Sequence, residues 1–257
     1  MNLRLLFRLP LTAVALMMCF GAAPVAQATA PRDLSGIWMN DNTLDETMKR
    51  EGRVRMTEAE RKADRRGPAV EHLTPAYRAK YDALQAERAR LAEGAESCAW
   101  PGMPGIMTYP FPFEIVQTPK VVYFLFEGHS QVRRIFMDRR EHLPFDELDP
   151  TYNGDSIGRW EGDQLIIHTT GFNTQTQVRG LPHSESMVIE ERVTWRDDDT
   201  IELRMSITDA EAFVKPVEMA VVYSQRPDWR IREYSCFENN RDAPDATGQR
   251  TGGVVGR

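Results

Sequence analysis

The sequence predicts a mainly β protein, an antiparallel up-and-down barrel with a helical insertion near the N-terminus. From Glu114 onward, apolar runs of strand length alternate with turn-forming residues, and about ten residues separate one run from the next, as in chains of hairpins. Several runs, such as residues 201–207, alternate apolar and polar side chains and so have one face for a core. A chain of hairpins closes most simply into an up-and-down barrel.

Residues 1–30 are predicted to be a signal peptide. Two arginines precede an apolar stretch at 11–20, and small residues around Ala30 form an A-x-A cleavage site. The bulky Met18 before Cys19 suits lipoprotein processing poorly, so simple cleavage is favoured over a lipid anchor. No later run reaches the ~20 apolar residues of a membrane helix. We therefore expect a periplasmic or secreted protein without a transmembrane segment in its mature chain.

The net charge and the cysteine content limit which partners and which cellular compartment we expect. The chain has 32 basic and 38 acidic residues, and loss of the two arginines in the signal peptide leaves a net charge of −8, which argues against nucleic acid as a partner. Cys98 and Cys236 remain after cleavage and are predicted to form a disulfide in an oxidising compartment. Two separate buried thiols are the alternative.

The mature chain is expected to be one barrel domain at 31–240 with a flexible tail at 241–257. A first strand begins near Trp38, and a helical insertion covers about 56–94, where Pro75 suits the first position of a helix. The many charges of this insertion favour a solvated helix over a lid, although a lid over the barrel mouth stays possible.

Residues 98–112 are rich in proline and glycine and cannot form a regular helix or a central strand. The apolar side chains of this segment predict that it plugs a barrel end or packs on the wall. They are Trp100, Met103, Met107, Tyr109 and Phe111, followed by Phe113. The strands predicted after this segment are 114–118, 120–126, 131–138, 156–160, 164–169, 187–196, 200–208, 217–225 and 230–236.

The functional site is expected between residues 151 and 192, where histidines, carboxylates and arginines gather around turns. His183 and Glu185 lie two apart, so in an extended segment their side chains point the same way. A carboxylate beside a histidine suits acid–base catalysis, and the alternative is a surface-loop pair.

Five further residues are candidate ligand contacts at the barrel mouth: Tyr152, Asn153, Asp155, His168 and Asn173. Asn153 followed by Gly154 also strongly predicts a turn, and a turn alone is sufficient to explain the asparagine. A histidine at an apolar strand end such as His168 is more often a hydrogen-bonded core residue than a ligand.

Three residues are predicted to be structural. Trp38 and Trp160 lie in strands, and Arg159 is expected to cap a barrel end by stacking on an indole such as that of Trp38. Alternation alone leaves open whether Glu190 and Arg192, or Arg133 and Arg134, face the lumen or the solvent.

The Gly36-Ile37-Trp38 segment resembles the G-x-W signature of lipocalins and their calycin relatives, in which the tryptophan closes one end of the barrel. A second resemblance covers most of the chain after Cys98 and is to a family of exported bacterial proteins of mostly unassigned function. That family has a histidine at the position of Asp155, so a histidine-dependent role there is not expected. The motifs of this resemblance are CxxPG at 98–102, TYNG at 151–154, SIGRWEGD at 156–163, TGFN at 170–173, PHSE at 182–185 and YSCFEN at 234–239.

The sequence contains no H-E-x-x-H, four-cysteine set, Walker loop, G-x-G-x-x-G or G-x-S-x-G, so no metal or cofactor is predicted. The predicted function is binding of a small apolar or aromatic molecule in the lumen or mouth. The alternatives are a cofactor-independent isomerase, cyclase, dehydratase or hydrolase using His183 and Glu185, or a structural envelope protein. All site predictions require the loops around Asn153 and His183 to meet at one opening.

Overall fold

The computed structural model describes residues 31–40, 70–90, 100–144 and 146–234, and these form a closed barrel with one α-helix. The mainly β class, the barrel and the early helix are all confirmed. The strands are β1 (Gly36–Asn40), β2 (Phe113–Gln117), β3 (Val121–Phe126), β4 (Val132–Phe136), β5 (Asp155–Glu161), β6 (Gln164–Thr170), β7 (Val188–Trp195), β8 (Thr200–Thr208) and β9 (Val217–Gln225), and the helix is α1 (Pro75–Arg90).

Neighbours in sequence are neighbours in the barrel, and β1 closes the ring by pairing with β9. Every pair is antiparallel except β4 and β5, which run parallel. Directions cannot alternate around a closed ring of nine strands, because nine is odd, so one parallel pair is required. The residues between β4 and β5 return the chain along the outside of the barrel.

The alternation in the sequence sets which side chains face inward. On β8 and β9 the inward positions are apolar and buried, as the period of two predicts. Glu191 breaks the apolar pattern of β7, yet it faces inward and its exposed fraction is 0%. Arg133 on β4 also faces inward, whereas Arg134 lies outside.

One end of the barrel, here called the base, is closed by Trp38. Its indole is fully buried, donates a hydrogen bond to the Leu34 carbonyl at 2.9 Å, and meets the Trp195 ring edge-on at a centroid distance of 5.6 Å. The Arg32 guanidinium lies 3.7 Å above the Trp195 ring. The base therefore combines an edge-to-face pair of indoles with a cation above one of them.

The opposite end, here called the mouth, is where β5 and β7 begin, and residues 100–112 fill it as a plug. A 3₁₀ turn at Gly105–Thr108 carries Met107 into the barrel, and Met103 is fully buried. The Met103 amide donates to the Tyr152 carbonyl at 2.8 Å. The plug predicted from composition is thus present, with Trp100 half exposed at its edge.

Helix α1 begins at Pro75, as the sequence predicts, and packs at the mouth. The Thr74 amide donates to the Ala212 carbonyl at 2.8 Å, and Leu73 bridges to Phe213, so the loop between β8 and β9 holds the start of the helix. Tyr77 is its buried anchor. The other parts of the predicted insertion, 56–69 and 91–94, lie outside the described residues.

The strand predicted at 230–236 is wrong over its described part, because residues 230–234 carry no strand. The Arg226 amide donates to the Ile37 carbonyl at the base, and the Tyr234 ring contacts Phe111 of the plug at 4.7 Å. This segment therefore runs from base to mouth without joining the sheet.

Cys98, Cys236, the signal peptide and the tail lie outside the described residues. Within the part of the chain that the structure describes, no helix is both long and apolar enough to cross a membrane.

Candidate functional site

The two loops expected to form the site do lie at the same end of the barrel. The loop before β5 contains Asn153 and the loop before β7 contains His183, and both strands begin at the mouth. Thr151 bridges to Phe172, whose ring lies 6.4 Å from the His183 ring. Phe172 is fully buried and joins the two loops.

His183 is buried, and both of its ring nitrogens are engaged. Nδ1 lies 2.8 Å from the Ser184 carbonyl oxygen, which can only accept, so Nδ1 carries the proton. Nε2 of the neutral ring then accepts from the Thr176 hydroxyl at 2.8 Å. Burial lowers the pKa of His183, while the Ser184 and Thr176 backbone and the Asp209 carboxylate act in the opposite direction. The ring is therefore held neutral.

The structure does not bring Glu185 to His183, because Glu185 is exposed and both imidazole nitrogens bond elsewhere. The buried carboxylate nearby is Asp209, which accepts from the Ser184 amide at 2.6 Å and from its hydroxyl at 2.8 Å. Asp209 holds the loop rather than the imidazole. The geometry therefore gives the His183 and Glu185 acid–base mechanism less support than a binding role for the mouth.

A cleft of about 410 Å³ opens at the mouth between the plug and the loop at 175–180. Trp100 is 51% exposed at its rim, and the Trp100 ring contacts the Tyr152 ring at 5.8 Å. Tyr152 thereby positions the indole. The lining residues are Trp100, Pro101, Gly105, Thr108, Gln175, Thr176, Gln177, Arg179, Gly180 and Met219.

Asn153 and Asn173 take positions in the backbone turns. Asn173 Oδ1 accepts from the Gln175 amide at 3.0 Å, which shapes the first part of the loop that borders the cleft. Asn153 Oδ1 is buried and has no hydrogen-bond partner among the described residues.

Asp155 and His168 meet on the outer face of the barrel, together with a residue that the sequence analysis did not select. His142 Nδ1 lies 2.7 Å from Asp155 Oδ2, and His142 Nε2 lies 2.7 Å from His168 Nδ1. Arg139 Nη2 lies 2.6 Å from Asp155 Oδ1. His168 is thus not a core residue. His142 was missed because it lies in a loop 13 residues before Asp155, without a motif.

The barrel interior contains a buried ion pair between Arg133 and Glu191, both at most 1% exposed. Arg133 Nη1 donates to Glu191 Oε1 at 2.9 Å, and Nη2 donates to Thr169 Oγ1 at 3.0 Å. Ser156 Oγ lies 3.2 Å from Nη2. The apolar side chains and Met107 of the plug seal this network from the mouth, so it is a structural element. The sequence does contain a signal for this network. Glu191 is a carboxylate at a position of β7 where the alternation predicts an apolar side chain.

Arg159 lies on the outer face, about half exposed, and forms an ion pair with Glu161 at 2.7 Å. The structure does not bring it to Trp38, and the cation above the Trp195 ring at the base is Arg32. Trp160 packs partly buried against the core.

Within the described ranges, no group of three or more histidine, cysteine, aspartate or glutamate residues is arranged to hold a metal ion. The chain matches no model of a known protein family and no curated protein. The closed nine-strand barrel is compatible with a lipocalin-like barrel.

Proposed function

We propose that this protein is an exported, lipocalin-like barrel that binds a small apolar or aromatic molecule in the cleft at its mouth. The observation that carries the proposal is the half-exposed Trp100 indole at the rim of a cleft of about 410 Å³. This volume lies within the range of roughly 300 to 1,000 Å³ found for small-molecule sites. The signal peptide features of residues 1–30 support export.

The mouth is favoured over the lumen because the interior is already filled. Trp38, Arg133, Phe124 and Tyr223 are among the largest fully buried side chains. A ligand in the cleft instead meets the plug on one side and the 175–180 loop on the other.

The cleft is lined by apolar and by polar side chains, the polar ones including Gln175, Gln177 and Arg179. Met219 and the Trp100 indole supply apolar contact, and an aromatic ligand gains from stacking on the indole. The Thr176 hydroxyl is buried and donates its proton to His183 Nε2, which fixes the loop on this side of the cleft. The cleft therefore favours a small aromatic molecule.

The proposal is tested by fluorescence titration with N-phenyl-1-naphthylamine, an uncharged aromatic probe with one N–H donor. Trp100→Ala is expected to weaken probe binding by about tenfold, because loss of a stacked aromatic contact costs roughly 0.5 to 1.5 kcal/mol beyond burial and each 1.4 kcal/mol is about a tenfold change in affinity.

Trp229→Ala is the matched control, since Trp229 lines a separate surface pocket beside Pro112 and Glu127. Its affinity for the probe is expected to equal that of the unaltered protein. Equal affinity in Trp100→Ala, or an equal loss in both tryptophan variants, would show that the probe does not occupy the mouth cleft.

A further inference from the structure

The chain of Asp155, His142 and His168 on the outer face has the form of a proton relay. Two hydrogen bonds of 2.7 Å link a carboxylate to one imidazole and that imidazole to a second. The Asp155 and His142 side chains are only 12% and 15% exposed. Such bonds are stronger than those of exposed side chains, because less water competes for the partners.

With His142 neutral, the chemistry of the acceptors assigns every proton in this chain. The Asp155 carboxylate accepts, so His142 Nδ1 carries a proton and donates it. In neutral His142, Nε2 is then an acceptor, so His168 Nδ1 is the donor of the second bond. His168 Nε2 is left with a lone pair.

His168 lines a groove of about 290 Å³ on the outer face of β5 to β9. Within the described part of the chain, His168 Nε2 has no hydrogen-bond partner. Arg159 and Arg192 lie in the next row of the same face, on either side of Ile166. The relay therefore ends at a nitrogen without a protein partner, in a residue that lines the groove beside two arginines.

We propose that Asp155, His142 and His168 form a general-base site that activates water for the hydrolysis of small uncharged esters. When His168 Nε2 takes a proton from the attacking water, its Nδ1 proton moves to His142 Nε2. The positive charge then rests on His142 beside the Asp155 carboxylate. The hydroxide adds to the ester carbonyl, the acyl–oxygen bond breaks, and the proton returns to the leaving alkoxide.

The charges that face the relay come from two strands and a loop. Glu190 on β7 and Arg159 on β5 face His168, and Arg139 in the loop faces Asp155. Burial lowers the pKa of His168, and His142 and Arg159 lower it further while Glu190 raises it. The imidazole is therefore in its basic form at neutral pH, as a general base requires.

The charge balance of the groove indicates the substrate class. Glu161 pairs with Arg159 and lies 3.7 Å from Arg192, and Glu202 pairs with Arg204. Because carboxylates offset the arginines, the groove does not favour a strongly charged substrate. The guanidinium N–H groups of Arg159 and Arg192 remain suited to donate to a carbonyl oxygen as negative charge develops on it.

Hydrolysis of p-nitrophenyl acetate by the purified protein tests the proposal. A rate above that of buffer is expected, with a pH midpoint below 6.5, and His168→Gln is expected to lower it about 100-fold. Asp155→Asn is expected to lower the plateau rate and to move the midpoint further down, since the carboxylate no longer stabilises the cation. A purely structural Asp155 would change stability without moving the midpoint.

His129→Asn is the matched control, because His129 is also a partly buried histidine but bonds to the Tyr109 hydroxyl, and its φ of 60° suits asparagine. Its rate is expected to be unchanged. In the unaltered protein, diethyl pyrocarbonate should abolish the rate in step with modification of His168, as located by mass spectrometry. An equal rate in His168→Gln, or loss of rate that follows another histidine, would overturn the proposal.

Discussion

Glu191 and Arg133 show how one buried pair organises the inside of this barrel. Arg133 reaches from β4 to Glu191 on β7 and also meets Ser156 on β5 and Thr169 on β6. The network joins four adjacent strands through side chains, and it satisfies the donors of a cation that would otherwise be costly to bury.

Replacement of Glu191 by glutamine is expected to lower the free energy of unfolding by about 3 to 5 kcal/mol, because the Arg133 charge stays buried without a counter-charge. Urea denaturation gives the measurement. Glu190→Gln, the exposed neighbour on the same strand, is the control and should change stability by at most about 0.5 kcal/mol. Equal effects at the two positions would contradict a sealed pair.

His183 makes stability depend on pH. Burial lowers its pKa in the folded state, so the unfolded chain binds a proton at higher pH than the folded chain does. The contribution of neutral His183 to the free energy of unfolding should therefore be complete above the unfolded pKa of about 6.5 and be lost as the pH drops below it. His183→Gln is expected to flatten this dependence between pH 7 and pH 5, as followed by urea denaturation at each pH. An unchanged slope would mean that the pKa of His183 is the same in the folded and the unfolded chain.

The glycine that precedes β5 and the glycine in the hairpin between β5 and β6 differ in the space available for a side chain. Gly154 precedes β5 at a φ of 65°, and a Cβ there would lie 2.6 Å from the Thr170 carbonyl oxygen. Gly162, in the hairpin between β5 and β6, has a φ of 62° and no atom within 4 Å of such a Cβ. The two positions share their backbone conformation and differ in packing.

Gly162→Ala is expected to cost about 1 to 2 kcal/mol, which is the penalty of a left-handed backbone for a residue with a Cβ. Gly154→Ala should cost clearly more, because backbone atoms of the β6 end must also move. Denaturant unfolding of both variants measures the difference. Equal costs would show that the loop before β5 adjusts freely.

Strand positions were predictable where a regular period of two exists, as in β8 and β9, and Pro75 gave the start of α1. The parallel pairing of β4 with β5 was not predictable, because it depends on the number of strands in the ring rather than on local residues. The strand predicted at 230–236 failed for the same reason. Its residues suit a strand, but β1 and β9 already complete the ring.

At the scale of the whole molecule, the disulfide and the export signal stay predictions with testable consequences. Trp100 and Tyr234 lie two positions from Cys98 and Cys236, and both belong to the mouth end, where Tyr234 contacts Phe111 of the plug. Placement of these two described neighbours at the same end of the barrel is compatible with a bridge between Cys98 and Cys236.

Protein secreted from a bacterial host should begin at Pro31 and carry no free thiol, as shown by intact mass before and after alkylation. The double variant Cys98→Ser with Cys236→Ser is expected to lose about 4 to 5 kcal/mol of stability, since the bridge would close a loop of 139 residues. Two alkylated cysteines in non-reduced protein would contradict the bridge.

The candidate sites were predictable only as a region of the chain. The sequence correctly places the Asn153 and His183 loops at one end, because both precede strands that start there. It does not give the partners of each side chain. His168 bonds to His142 and His183 bonds to Thr176, and both contacts depend on loops whose course no periodicity determines.

The parallel contact between β4 and β5 covers only two residue pairs, Ile135 with Ser156 and Phe136 with Ile157, whereas β8 and β9 share eight. Thermal fluctuations that separate strands should therefore start between β4 and β5, and backbone amides of β4 should exchange with deuterium before those of β8. Once separated, β4 and β5 would each expose an unpaired edge. The Arg133 side chain spans this same junction, so it keeps two such edges from becoming available for association with other chains.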